Sequence, residues 1–74
     1  MVYSILITVI PVDIEPIAYE SSYYYHDLET ALQSYENMMY IGKSEVNCGV
    51  NDYFHITLSC NDMVMEDYEY PIDF

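Results

Sequence analysis

The fold is decided by the stretch VYSILITVIPV, residues 2–12, near the start of the chain. Apolar side chains occupy positions 3, 5, 7 and 9 on one face of an extended chain, and Leu6 and Ile10 lie on the other. A β-branched stretch with apolar groups on both faces is typical of a central strand. Pro11 and Pro16 cannot donate to a strand ladder, so we expect pairing to weaken where the stretch ends.

The same apolar run does not have the properties of a membrane segment. It is shorter than the roughly 20 residues that a transmembrane helix needs. It also lacks the basic start and the small-residue cleavage site of a signal peptide. We therefore expect a soluble protein in the cytoplasm.

Residues 28–41 show the clearest helical pattern. Apolar side chains recur there at spacings of three and four, which places them in one stripe along a helix: Leu28, Ala31, Leu32, Tyr35, Met38 and Met39. Asp27 is a suitable N-cap residue, and Gly42 followed by Lys43 predicts the helix end.

The other segments predict strands and turns. Residues 19–25 form either a short second strand or an ordered loop. Residues 45–60 alternate on both sides of Asn51-Asp52, which predicts a hairpin whose polar face carries Tyr53, His55, Thr57 and Ser59. Residues 61–74 are acidic and form either a short strand at 63–69 or a partly mobile tail.

These elements predict one α+β domain over residues 1–74. A small antiparallel sheet of three or four strands would carry one helix packed on one face, in a βαββ-like order. The predicted core consists of apolar residues from all of these segments: Ile5, Ile7, Val9, Leu28, Leu32, Tyr35, Met39, Val46, Phe54, Ile56 and Leu58.

The charge of the chain is its most informative property for function. The chain contains thirteen acidic residues but only one lysine, Lys43, and no arginine, so the formal net charge is −12 on 74 residues. Hydrophobic residues make up 53% of the chain and ten are tyrosines, which is unlike an acidic disordered segment. A folded core therefore carries a nearly uniform negative charge, which costs stability by self-repulsion. Direct contact with nucleic acid or anionic lipid is disfavoured for the same reason.

Catalysis has little support in the sequence. Gly42 and Gly49 are the only glycines, so the sequence contains no glycine-rich phosphate loop. A single lysine and no arginine provide little positive charge to stabilise a developing oxyanion. His55 and Cys60 are five residues apart on one predicted strand and would point to opposite faces. We expect no catalytic residues and no cofactor.

The cysteines, histidines and acids match no known metal-site pattern. The two cysteines and two histidines fit no zinc spacing. Calcium is a rival explanation for the acids at 61–69, but no EF-hand loop is present, and we expect no metal site. Cys48 and Cys60 fall on predicted neighbouring strands, so they are either a disulfide or two reduced thiols.

Electrostatic recognition of a basic protein surface accounts for the charge best. Nucleic-acid-binding proteins expose lysines and arginines that contact phosphates, and carboxylates can occupy that surface instead. The candidate binding residues are a C-terminal group and an N-terminal group of acids: Asp62, Glu66, Asp67, Glu69 and Asp73, then Asp13, Glu15 and Glu20. Tyr68 and Tyr70 would add rigid anchoring area.

In small size, strong negative charge, abundant aromatics and lack of a catalytic set, the chain resembles small phage-type DNA-mimic inhibitors. That group includes inhibitors of restriction enzymes, of uracil-DNA glycosylase and of CRISPR effectors (anti-CRISPRs). The resemblance implies a host–virus conflict role in the host cytoplasm and a nucleic-acid-binding target; because those proteins share no single fold, it implies no site positions. The alternative is a small protein-interaction subunit without mimicry, for instance a homodimer joined through a tyrosine-rich surface.

Overall fold

A computed structural model describes residues 1–13, 15 and 17–72. Four strands and one helix follow one another as β1 (Tyr3–Pro11), β2 (Tyr19–Tyr25), α1 (Leu28–Asn47), β3 (Asn51–Cys60) and β4 (Met63–Tyr70). The strands form one antiparallel sheet in the spatial order β2-β1-β3-β4. The predicted α+β class is confirmed, and β1 is central as expected.

The order ββαββ contains one strand before the helix that the expected βαββ-like order lacks. Residues 19–25 pair with β1 along their whole length, so the strand alternative for this segment is confirmed. Residues 63–70 likewise form a strand against β3, which leaves no long mobile tail within residues 61–72.

The helix begins where the sequence predicts. Asp27 has extended backbone angles, and its carboxylate accepts from the Thr30 amide at 2.9 Å and from the Thr30 hydroxyl at 2.8 Å. These bonds satisfy one of the amides that a helix start leaves unpaired. They also lower the pKa of Asp27, chiefly through the bond from the Thr30 amide.

The predicted helix end at Gly42 is wrong, because Gly42 is a buried residue in the helix interior. A Cβ atom built on Gly42 would collide with the ring of Phe54 on β3. The glycine therefore serves as a close contact between α1 and the sheet, and the helix continues for another turn and more.

The helix ends instead at Cys48 and Gly49. Gly49 has φ +82°, and its amide bonds the carbonyl of Val46 while the amide of Val50 bonds the carbonyl of Glu45. This is the hydrogen-bond pattern of a helix stopped by a left-handed glycine. Residues 45–47 are thus helical, and the expected strand there is wrong.

The expected hairpin turn at Asn51-Asp52 is also wrong. Asn51 is buried and begins β3, where its side-chain amide donates to the Glu45 carboxylate at 3.4 Å. The two-residue turn lies at Asn61 and Asp62, which have φ +49° and +69° and join Cys60 to its partner Met63. Positive φ at both residues is what a type I′ hairpin turn requires.

The core forms where the helix crosses β1 and β3. Its buried members, from both the sheet and the helix, are Tyr3, Ile5, Ala31, Tyr35, Phe54, Ile56 and Leu58. Ile7, Val9, Met39 and Val46 pack against it as partly buried residues. Leu28 and Leu32 were expected inside but are 39% and 37% exposed, and Leu32 lines an open groove between the helix and β4.

Both cysteines are free thiols at opposite ends of the molecule. Cys48 caps the helix just before β3 begins, and Cys60 is the last residue of that ten-residue strand. A strand of this length spans about 30 Å, whereas disulfide-bonded Cα atoms lie within about 7 Å. The predicted placement of Cys48 on a neighbouring strand is wrong, and a disulfide within one chain is excluded.

Candidate functional site

One face of the sheet carries no helix, and we call it the open face. Cross-strand partners in the sheet share a face, so the register assigns these side chains to it. The β3 residues Tyr53, His55, Thr57 and Ser59 lie on the open face, as predicted, because Phe54, Ile56 and Leu58 are buried under the helix. Asp67 and Glu69 of β4 lie beside them, opposite Thr57 and His55.

Asp67 is held on the open face by two residues of β3. Its Oδ1 atom accepts from the Thr57 hydroxyl at 2.8 Å and lies 2.6 Å from Nε2 of His55. The Thr57 bond is the main cause of a lowered pKa of Asp67, with a further contribution from His55. The carboxylate is therefore oriented and favoured in its charged form while its side chain remains 55% exposed.

Glu69 is oriented in the same manner by Tyr53. The Tyr53 hydroxyl donates to Oε2 of Glu69 at 2.6 Å. This hydrogen bond stabilises the protonated, neutral form of the Tyr53 phenol and so raises the pKa of Tyr53 to about 12. His55 is the β3 residue directly opposite Glu69, and its ring centroid lies 6.4 Å from that of Tyr53.

Four carboxylates lie along β4 and in the turn before it. We call these residues the acidic edge: Asp62, Glu66, Asp67 and Glu69. All four are exposed, and β4 is the last strand on its side of the sheet. Glu66 differs from its neighbours because it is paired with Leu58 and so faces the helix side. The acidic edge therefore presents carboxylates toward both faces of the sheet.

The sequence gives no direct sign that Glu36 belongs near this edge. Glu36 and Glu66 line a groove of about 290 Å³ between α1 and β4, together with Leu32, Tyr35, Met39, Asp67 and Tyr68. Burial in this region raises the pKa of Tyr35, and the nearby charge of Glu66 raises it further. The helical period places Glu36 off the apolar stripe, but only the sheet order shows that β4 lies next to it.

Tyr68 and Tyr70 are half-buried and make contacts within the chain. Their rings are stacked with centroids 6.4 Å apart and planes 8° apart. The Tyr70 hydroxyl donates to Asn47 at 2.7 Å, and Nζ of Lys43 lies 5.3 Å from the Tyr70 ring centroid. These tyrosines hold the end of α1 against β4, and only part of each ring is available to a partner.

The N-terminal group of predicted residues lies at the other edge of the sheet. Glu20 is an exposed residue of β2, and Asp13 and Glu15 lie in the connection before it. Glu20 shares a row across the open face with Thr8, His55 and Glu69. Three strand spacings of about 4.8 Å place the two carboxylates of this row about 14 Å apart. Asp73 lies outside the described residues.

The described residues contain neither a metal cluster nor a membrane-spanning helix. Within residues 1–13, 15 and 17–72, no group of three or more His, Cys, Asp or Glu side chains is arranged to hold a metal ion. Among those residues, no helix has the length and apolar character needed to cross a bilayer.

Comparisons of this chain with protein-family models, with curated proteins and with solved structures found no match. Function has to be inferred from the geometry of the surface itself.

Proposed function

We propose that this protein binds the basic nucleic-acid-binding surface of another protein and so excludes nucleic acid from it. In this proposal the carboxylates of the acidic edge take the places of phosphates. The observation that carries it is the arrangement of Asp67 and Glu69, which are exposed on one face of β4 and are held there by donors from β3. Oriented carboxylates lose less side-chain entropy on binding than freely rotating ones do.

The spacing of these two carboxylates supports the mimicry. Asp67 and Glu69 are alternate residues of a strand, so they lie about 6.7 Å apart along it. Phosphates on one strand of duplex DNA rise by about 3.4 Å each, so every second phosphate is about 6.8 Å along the axis. A lysine or arginine row that contacts alternate phosphates would meet these carboxylates in register.

The row across the open face adds a second rim of charge. Glu20 and Glu69 stand at opposite edges of the sheet, about 14 Å apart by strand spacing. The major groove of DNA is about 12 Å wide, so the two rims are separated by a distance of the same order as two phosphate rows. A basic cleft that accepts DNA could accept this face between its walls.

The chain has few cations of its own to neutralise these acids. The one lysine, Lys43, lies over the Tyr70 ring, and the sequence contains no arginine. A partner rich in lysine and arginine would therefore supply the missing positive charge and relieve the self-repulsion of the free protein.

The proposed mode of action is stoichiometric inhibition without catalysis or a cofactor. The proposed target is a CRISPR effector or another host-defence or DNA-processing enzyme. Such enzymes have a basic cleft for nucleic acid, and their inhibition would benefit a phage. A phage-encoded inhibitor of that kind would act in the host cytoplasm.

The test begins with affinity capture from bacterial extract at low salt, with the full chain immobilised, and continues with each captured protein in purified form. The chain should compete with duplex DNA for that protein, and binding should weaken as salt rises, because exposed charges are screened beyond about 10 Å at 0.1 M. The variant Glu66→Lys/Glu69→Lys should lose the competition. The control Glu29→Lys/Asp52→Lys makes the same change in net charge away from the acidic edge and should keep it.

Three results would contradict the proposal. The first is that the captured proteins bind DNA equally well in the presence and absence of the chain. The second is that the affinity of the chain for these proteins does not change with salt. Equal loss of binding in both double variants would show that net charge alone matters and that the acidic edge has no special role. An interaction subunit without mimicry, the alternative function, would tolerate the reversal at positions 66 and 69.

A further inference from the structure

The two free edges of the sheet differ in how they are protected against pairing with another strand. Edge strands expose a row of backbone N–H and C=O groups, and proteins usually block them with charges, prolines or bulges. β4 has three carboxylates among its eight residues and a register irregularity opposite Leu58 and Ser59. β2, with the sequence YESSYYY, contains one charged residue and no proline, and it pairs with β1 without a register shift. We call β2 the tyrosine edge.

We propose that the tyrosine edge pairs with the same strand of a second copy of this chain, so that two four-stranded sheets become one sheet of eight strands. This inference does not depend on the acidic edge, but it uses the edge that carries Glu20, so a dimeric protein would bind a basic partner through its acidic edge alone. Strand addition uses the main-chain groups that an edge leaves unpaired, and a two-fold axis makes the contact self-complementary.

Charge selects this edge for a second copy. Each chain carries a net charge of −12, so two copies repel each other unless they meet where carboxylates are sparse. Pairing through β4 would bring Glu66, Asp67 and Glu69 close to the same residues of the partner. Glu20 is the single acid between Tyr19 and Tyr25.

The register that pairs all seven residues also keeps the carboxylates apart. An antiparallel pairing centred on Ser22 places Ser22 opposite its own copy, Ser21 opposite Tyr23, and Glu20 opposite Tyr24. The two Glu20 residues then lie on either side of the axis, each beside a tyrosine. In such a position a tyrosine can donate to a glutamate across strands, as Tyr53 does to its diagonal neighbour Glu69 at 2.6 Å.

Exposed aromatic surface at this edge would be covered in the dimer. Tyr19, Tyr23 and Tyr24 are 57%, 42% and 70% exposed. On the helix side, Tyr23 borders a groove of about 200 Å³ whose apolar lining includes Ile7, Val9, Met38, Ile41 and Phe54. The partner's Tyr25 and Ser21 would lie next to Tyr19 and Tyr23 on this side, and the removal of these rings from water favours association.

The experiment is sedimentation equilibrium of the full chain, with substitutions at the position on the axis. The wild-type protein should have about twice the monomer mass of 8.7 kDa, and dimerisation should strengthen as salt rises, opposite to the salt response of binding to a basic partner. Ser22→Glu and Ser22→Lys each place like charges directly opposite each other, so each should weaken the dimer at least about five-fold. An equimolar mixture of the two variants should restore a dimer, because opposite charges then face each other.

The control is Gln33→Glu, which adds one negative charge on an exposed helix position away from β2 and should leave the dimer intact. Far-ultraviolet circular dichroism checks that each variant is folded. A monomeric wild-type protein at high salt would overturn the proposal. So would a dimer that both Ser22 variants leave unchanged, or a mixture that stays monomeric.

Discussion

At the scale of single residues, the open face uses uncharged donors to set carboxylates in place. Thr57 and Tyr53 donate to Asp67 and Glu69, so the chain orients its acids without adding positive charge. A salt bridge to lysine or arginine would orient a carboxylate but would also cancel the charge that a basic partner recognises. Hydroxyl donors avoid that loss, which suits a chain with one lysine and no arginine.

The Tyr53–Glu69 bond predicts a pH dependence on the alkaline side. The pKa of Tyr53 is raised from 10.0 to about 12 in the folded protein, so the stability that the bond contributes is fully present below pH 10 and is lost as pH rises toward 12. We expect Glu69→Ala to return the pKa of Tyr53 toward 10.0. The measurement is an ultraviolet tyrosinate titration in which the Tyr53→Phe curve is subtracted, in both the wild-type and the Glu69→Ala backgrounds. Glu20→Ala on the other edge is the control, and identical Tyr53 curves with and without Glu69 would contradict the assignment.

At the scale of elements, local pattern predicted the strands and the helix start but misplaced the helix end and the hairpin turn. Alternation identified β1 and β3 because one face of each is buried under the helix, and Asp27 was recognisable because an N-cap acts through its own side chain. The rule that glycine marks a helix end failed at Gly42, because a glycine is needed there for close contact with Phe54, twelve positions later in the sequence. The dipeptide Asn-Asp occurs at 51–52 and at 61–62, and only the true helix end shows that the second is the turn.

The candidate site was predictable to a similar extent. Composition predicted an acidic binding surface, and the acids at 62–69 proved to lie along one edge strand. Sequence could not show that Glu36 lines a groove with Glu66, or that Glu20 shares a row with Glu69. Each of these facts depends on strand order and register, which long-range packing determines.

The contact between Gly42 and Phe54 predicts an unusual response to alanine. Alanine in place of glycine within a helix is ordinarily stabilising by about 1 kcal/mol. Here the added Cβ would collide with the Phe54 ring, so we expect Gly42→Ala to lower the free energy of unfolding by about 1–3 kcal/mol through overpacking. Urea denaturation measures the change, and Ser44→Ala, at an exposed position of the same helix, should not destabilise. Combining Gly42→Ala with Phe54→Leu should cost less than the sum of the two single changes, and strict additivity would contradict the contact.

The two Asn-Asp dipeptides predict opposite effects of the same substitution. Asp62 has φ +69° in the turn, so Asp62→Gly should relieve the cost of left-handed backbone and stabilise the hairpin by up to about 1 kcal/mol. Asp52 lies within β3, so Asp52→Gly should destabilise by about 0.5–1 kcal/mol. Both variants remove one negative charge and follow an asparagine, so each is the control for the other in thermal or urea unfolding. Equal effects would show that charge removal, and not backbone conformation, decides the outcome.

At the scale of the whole molecule, the acids are distributed over both edges of the sheet. The extents are about 40 × 19 × 19 Å, and acids occur at both edges of the sheet and at both ends. The acidic edge is thus one part of a negative surface and not an isolated patch. A second copy at β2 would leave both acidic edges at the outer margins of the eight-stranded sheet, where two basic partners could be bound at once.

This charge distribution predicts that salt stabilises the folded chain. The screening length falls from about 30 Å at 0.01 M salt to about 3 Å at 1 M, so repulsion that extends over most of the molecule at low salt is limited to neighbouring groups at high salt. We expect the midpoint of urea unfolding to rise steadily with sodium chloride, measured at a protein concentration too low for self-association to contribute. Glu29→Gln/Asp52→Asn changes the net charge from −12 to −10 by neutralising two exposed acids, and its midpoint should depend less on salt. A wild-type midpoint that does not change with salt would mean that self-repulsion is not a significant cost of this surface, and it would remove one reason for expecting a basic partner.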